Sequence, residues 1–148
     1  MARFYAAQQI GVLDGTKIPA DRANGQVVGA KKSIILATKP AAAVYAAGDD
    51  IVLGELRPGE IITGIRINSD TTLGTTTVAI GIAGNTGKYV AARTFTTPLD
   101  TPTSIGPKAS VLAAGPVAAK ETILATLAVG GIAAGVNVTI ELEIASVK

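Results

Sequence analysis

Ile61-Ile62-Thr63-Gly64-Ile65-Arg66-Ile67, followed after Asp70-Thr71-Thr72-Leu73-Gly74 by Thr76-Thr77-Val78-Ala79-Ile80-Gly81-Ile82, is the stretch whose reading decides the fold. Ile61, Thr63, Ile65 and Ile67 share one phase, and Thr76, Val78, Ile80 and Ile82 share another. A strand sends successive side chains to opposite faces, so a period of two marks a sheet with one face in a core. A helix would space its apolar residues by three and four. The stretch predicts a β-meander, and nothing in it encodes chemistry.

The pattern extends in both directions. Upstream, Asp50–Leu56 reads as a short strand closed by Arg57-Pro58-Gly59-Glu60, with Pro and Gly where a type II turn wants them. Lys39–Gly48 reads as an Ala-rich loop, and Gln26–Thr38 as a strand in which Lys31-Lys32 breaks the alternation, the mark of a bulge or an exposed edge. From Met1 to Gly25 no period holds, and Gly11, Gly15, Pro19 and Gly25 interrupt any long helix, which predicts an arm.

Downstream, Gly84-Asn85-Thr86-Gly87 is expected to close a hairpin whose returning strand is Lys88–Phe95. Thr96–Lys108 holds Pro98, Pro102 and Pro107 and reads as a loop. Ser110–Ala114 reads as a short strand and Glu121–Val129 as a clearer one, with Ile123, Ala125, Leu127 and Val129 in phase. After Gly130-Gly131 and Gly135, the segment Val136–Ile144 alternates without a break, the cleanest half-buried strand in the chain. The expected architecture is all-β: an extended N-terminal arm over 1–25 and an antiparallel β-sandwich over 26–148, with a jelly roll as a candidate arrangement. Ile65, Ile67, Val78, Ile80, Leu127, Val138, Ile140 and Leu142 are the expected core.

Composition narrows the function. At 148 residues the chain fits one domain. It has no Trp and few aromatics, so the core must be built from small branched side chains, as between two packed sheets. The absence of Cys removes disulfides, thiolate nucleophiles and sulfur-ligated metals, and the absence of His removes the commonest general base. Residues 1–39 carry six basic and two acidic groups, while the rest carries seven and nine, so a basic N-terminal end invites a partner. Those basic residues are dispersed and lack interleaved stacking aromatics, which argues against nucleic acid. No stretch is apolar enough to span a membrane, and the opening residues lack a signal-peptide pattern, so the expectation is a soluble protein.

Several motifs read better as structure than as chemistry. Gly81-Ile82-Ala83-Gly84-Asn85-Thr86-Gly87-Lys88 departs from a phosphate-binding loop at Ile82 and Tyr89 and reads as a hairpin turn. Asp49-Asp50, with Glu55 as the nearest third carboxylate, reads as a solvated turn rather than a calcium site. Glu141 and Glu143 share a strand face and could mimic a glycosidase pair, but they read as the wet face of an outer strand. Asn137-Val138-Thr139 matches a glycosylation acceptor inside a strand pattern and is taken as chance.

The run Asp50-Ile-Val-Leu-Gly-Glu-Leu-Arg-Pro-Gly-Glu-Ile-Ile-Thr-Gly64, then Thr72-Leu-Gly-Thr-Thr-Thr-Val-Ala-Ile-Gly-Ile-Ala-Gly-Asn-Thr-Gly-Lys-Tyr-Val-Ala-Ala92, then Ala119-Lys-Glu-Thr-Ile-Leu-Ala-Thr126 resembles small virion proteins of tailed bacteriophages. It is similar to head decoration, or cement, proteins encoded near the major capsid protein, over roughly Asp50 to Val129. That resemblance implies a non-enzymatic structural protein without a cofactor, made in the host bacterial cytoplasm and carried on the capsid surface. The implied partners are the major capsid protein and further copies of the chain, a trimer among the possible states, with no nucleic acid and no membrane. The arm would then extend the contact through Arg3, Phe4, Tyr5, Ile10, Leu13, Lys17 and Arg22; the bland alternative is a solvated tail. A tail or fibre component that attaches to the host is the rival within the same resemblance. A small sugar-binding module is disfavoured by the missing Trp.

Overall fold

The computed structural model describes residues 31–146. The strands are β1 (Lys31–Thr38), β2 (Asp50–Leu56), β3 (Glu60–Ser69), β4 (Thr77–Ile82), β5 (Asn85–Thr94), β6 (Leu99–Gly106), β7 (Glu121–Ala128) and β8 (Val138–Ser146). One short helix, α1 (Ala109–Ala114), lies between β6 and β7. Two four-stranded antiparallel sheets form a sandwich, ordered β1-β8-β3-β6 and β2-β7-β4-β5. β1 pairs with β8, β2 with β7, β3 with β6 and β4 with β5, so the chain is a two-armed ribbon rolled on itself. The pairings β3–β8 and β4–β7 stitch the roll together. That is the connectivity of a jelly roll.

All eight predicted core residues are buried between the sheets, joined by Leu56, Ile62, Ile123 and Ile144. The packing is aliphatic, as the composition requires, and Tyr89 is the largest side chain fully inside it. The Arg57–Glu60 turn is a type II turn: Gly59 has φ 87° and Glu60 N–H donates to Arg57 O at 3.0 Å.

The structure departs from the simple period at particular residues. Ile61, Thr63, Ile65 and Ile67 do not share one face, because the β3–β8 register shifts between Ile62 and Gly64. Thr63 is the extra residue of this bulge; the shift puts Ile62 inside with Ile65 and Ile67 and leaves Ile61 half-buried. The hairpin turns at Ala83-Gly84, with β5 starting at Asn85, because Gly84 takes the positive φ of 80° that the reversal needs.

Thr96–Lys108 is not a loop. It contains β6, an edge strand that tolerates Pro102 because no strand lies on its far side among the described residues. Ser110–Ala114 is not a strand but most of α1, whose Ala-rich turns stop at Gly115 with φ 77°. β7 ends at Ala128, one residue short of Val129, which has φ 69° and is 76% exposed. β8 runs from Val138 to Ser146 rather than from Val136 to Ile144. Of the predicted Gln26–Thr38 strand, the part from Lys31 is β1; Lys31-Lys32 introduces no bulge and sits on an edge, and residues 26–30 lie outside the described residues.

Candidate functional site

The carboxylate pairs are engaged by their own surroundings. Asp49 Oδ2 accepts from Ala46 N–H at 2.7 Å, Asp50 Oδ1 accepts from Thr126 Oγ1 at 2.5 Å, and Glu55 pairs with Lys120 at 2.9 Å. Among the described residues no three Asp or Glu gather as a metal site. Asn137 donates its side-chain amide to Asp70 Oδ2 at 2.6 Å and its backbone N–H to Asp70 Oδ1 at 3.1 Å, which ties the end of β3 to the start of β8. These bonds hold the Asp70 carboxyl below its ordinary value. The Gly81–Lys88 segment is the β4–β5 hairpin, in which Ile82 faces Asn85.

Glu141 and Glu143 lie on the outer face of the first sheet, as the alternation of β8 predicts. Arg66 Nη1 reaches Glu141 at 2.5 Å, Lys32 pairs with Glu143, and Arg66 Nη2 stands 3.8 Å from Glu143. The Lys32 hydrogen bond holds the Glu143 carboxyl below its ordinary value, against a smaller desolvation effect, and the charges of Lys32 and Arg66 add to it. A glycosidase acid needs the opposite shift. A carboxyl with a lowered folded-state value favours the folded chain above its unfolded value, and that contribution is lost as pH falls through the folded value. Glu143→Gln should therefore flatten the fall in urea midpoint below about pH 5, with only a small loss at neutral pH because the pair is partly solvated. A wild-type acid profile in the variant would show that Glu143 carries none of it.

A second cluster was not visible in the sequence. The Tyr89 hydroxyl donates to Glu121, and Lys88 pairs with the same carboxylate. Burial raises the Tyr89 phenol, and the hydrogen bond to Glu121 and that residue's charge raise it further, so it stays protonated. A buried phenol needs a partner, but nothing in the local pattern of Tyr89 points 32 residues ahead to Glu121. Beside this cluster an open groove of about 490 Å³ runs between β5 and α1, bordered by Asn85, Lys108, Val111 and Pro116. Its lysine ends are already occupied, Lys88 by Glu121 and Lys108 by Gly87 O. A partly open apolar pocket between the sheets holds about 40 Å³, far below the roughly 300 Å³ of a small-molecule site.

The body also carries exposed apolar surface. On the outer face of the first sheet, Ile34 and Leu36 are 60% and 65% exposed, next to the Lys32–Glu143 and Arg66–Glu141 pairs. A shallow hollow there is formed by Leu36, Arg66, Asn68, Pro102 and Thr139. Sequence reading flagged Lys31-Lys32 at this edge but not the apolar pair beyond it. The predicted arm contacts Arg3, Phe4, Tyr5, Ile10, Leu13, Lys17 and Arg22 lie outside the described residues. No helix among the described residues is long and apolar enough to cross a membrane.

The sequence matches no protein-family model and no curated protein. Solved structures are similar in fold. A chain in the capsid of Ralstonia phage GP4 aligns at a TM-score of 0.50 and 21% identity, covering 79% of this chain and 84% of that one. A chain in the cyanophage Pam1 capsid asymmetric unit aligns at 0.47 and 17%, with the same coverage. The alignment with the Ralstonia phage GP4 chain extends the fold correspondence over most of the jelly roll described above.

Proposed function

We propose that this chain is a non-enzymatic structural protein of a tailed-phage virion, which binds the outer surface of the capsid and clamps adjacent capsomers. The observation that carries the reading is the fold shared with a chain in the capsid of Ralstonia phage GP4 over 79% of this chain. The resemblance of Asp50 to Val129 to head decoration proteins supports it from the sequence. A small rigid sandwich adds buried area across a seam, and many copies turn a modest contact into large avidity. The partners are the major capsid protein and other copies of this chain, with the arm residues Arg3, Phe4, Tyr5, Ile10, Leu13, Lys17 and Arg22 extending the grip.

A bound clamp must detach before capsomers separate, so it stabilises the shell by linkage. Heads stripped of the protein should release packaged DNA at a lower temperature, and adding the full chain back should restore the wild-type value. A chain starting at residue 26 should fold but restore little. The protein should be recovered with purified heads separated from tails by mass spectrometry. Recovery with tails alone, together with an unchanged release temperature, would replace this reading by that of a tail or fibre component.

A further inference from the structure

Four strands form the outer edges of the two sheets among the described residues, and three of them are interrupted. β6 carries Pro102 and two register shifts against β3. β2 shifts between Val52 and Gly54, and β5 shifts twice against β4. Bulges and prolines of this kind keep sheet edges from pairing with other chains. β1 has neither: its eight residues pair with β8 in one unbroken register, from Lys31 opposite Ser146 to Thr38 opposite Thr139.

One bond fixes which backbone groups of β1 face outward. Lys39 N–H donates to Val138 O at 2.9 Å, in continuation of the β1–β8 register. Antiparallel pairs alternate between bonded and non-bonded, so the odd-numbered residues of β1 turn their amides to β8. Lys32, Ile34, Leu36 and Thr38 turn theirs to the open edge, and this set includes the exposed Ile34 and Leu36.

We propose that this edge is a homodimer interface, in which two copies pair their β1 strands antiparallel about a two-fold axis at Ile35. The two four-stranded sheets then join into one of eight. Outward amides must meet outward amides, so even-numbered residues face even-numbered ones. The register centred on Ile35 sets Ile34 opposite Leu36 of the second copy and Lys32 opposite Thr38 of the second copy. Centring on Ile34 would set Lys32 against Leu36 instead. The chosen register pairs apolar with apolar and polar with polar, and keeps the two Lys32 ammonium groups at opposite ends of the ribbon, each beside its own Glu143. The interface is isologous, so it closes at two copies rather than the trimer the sequence reading allowed.

The chain has no Cys, so Ile35→Cys in the full-length protein places a single thiol on the axis. Facing Cα atoms of a non-bonded antiparallel pair are about 4.5 Å apart, within disulfide range. Mild oxidation should convert this variant to covalent dimers, while Val129→Cys, at an exposed site off β1, forms no covalent dimer under the same treatment. Ile35 touches the core, so a second variant guards against misfolding: Leu36→Lys should shift the protein from dimer to monomer in sedimentation at high concentration without changing its circular dichroism. Cross-linking of Ile35→Cys no faster than Val129→Cys would overturn the proposal, as would a wild-type trimer whose mass Leu36→Lys leaves unchanged. A monomeric wild-type chain with Ile34 and Leu36 amides protected from hydrogen exchange would overturn it in favour of the chain's own N-terminal residues covering the edge.

Discussion

Leu142→Asp is expected to abolish folding. Leu142 is fully buried on β8, opposite Ile35 on one side and Ile65 on the other, at the centre of the first sheet. A carboxylate there loses its hydration between Ile35 and Ile65 in an apolar core, a cost of several kcal/mol on top of the packing lost. Domains of this size hold only about 5–15 kcal/mol in total. Leu142→Ala, which leaves a cavity without a charge, should cost about 3 kcal/mol and still fold. Far-UV circular dichroism and a thermal melt read both. A cooperative melt for Leu142→Asp near that of Leu142→Ala would mean that the inter-sheet layer is wet, contrary to the packing described above.

Gly81→Ala should be nearly as damaging as a core truncation, although Ala is the smallest change available. A Cβ on Gly81 would stand 2.1 Å from Asn85 O and 2.5 Å from the Thr86 carbonyl, both backbone atoms of the returning strand. The β4–β5 register is irregular on either side of Ile80, and the extra residues of β5 curl over Gly81. No rotamer relieves a clash with main chain, so the hairpin must open, at about 3 kcal/mol and a melting point lowered by about 10 °C. Gly84→Ala is the comparison. Space around Gly84 is open and only its φ of 80° is at stake, so about 1 kcal/mol is expected. If the two variants melt together, the curl over Gly81 is absent in solution.

The faces of most strands were legible because a period of two survives wherever the register is regular. β8 and β7 show this, and the eight core positions follow from it. The period failed where an inserted residue changes phase: with Ile61 and Ile62 both apolar, nothing local says which one points inward. Pro102 reads as a chain breaker because sequence alone does not reveal that its strand lies on an edge. α1 was missed because six residues show neither period clearly. The surface was half legible: Glu141 and Glu143 were placed on the wet face, but their cations, Lys32 and Arg66, come from strands remote in sequence. The Tyr89–Glu121 bond lay out of sight for the same reason, since partners are chosen by topology and topology is written in no single segment.

That topology also sets an order in time. Lys32 and Glu143 meet across 111 residues of chain, and β8, the last of the eight strands in chain order, is the strand that β1 and β3 both need. Closing so long a loop is entropically unfavourable before any contact rewards it, so sheets of this kind form slowly, in milliseconds to seconds. During synthesis β1 emerges before β8, with Ile34, Ile35 and Leu36 in an unpaired run, and has to wait for its partner. The same unbroken edge that suits β1 to pairing is then an aggregation hazard in the nascent chain, one that grows with the rate at which the protein is made.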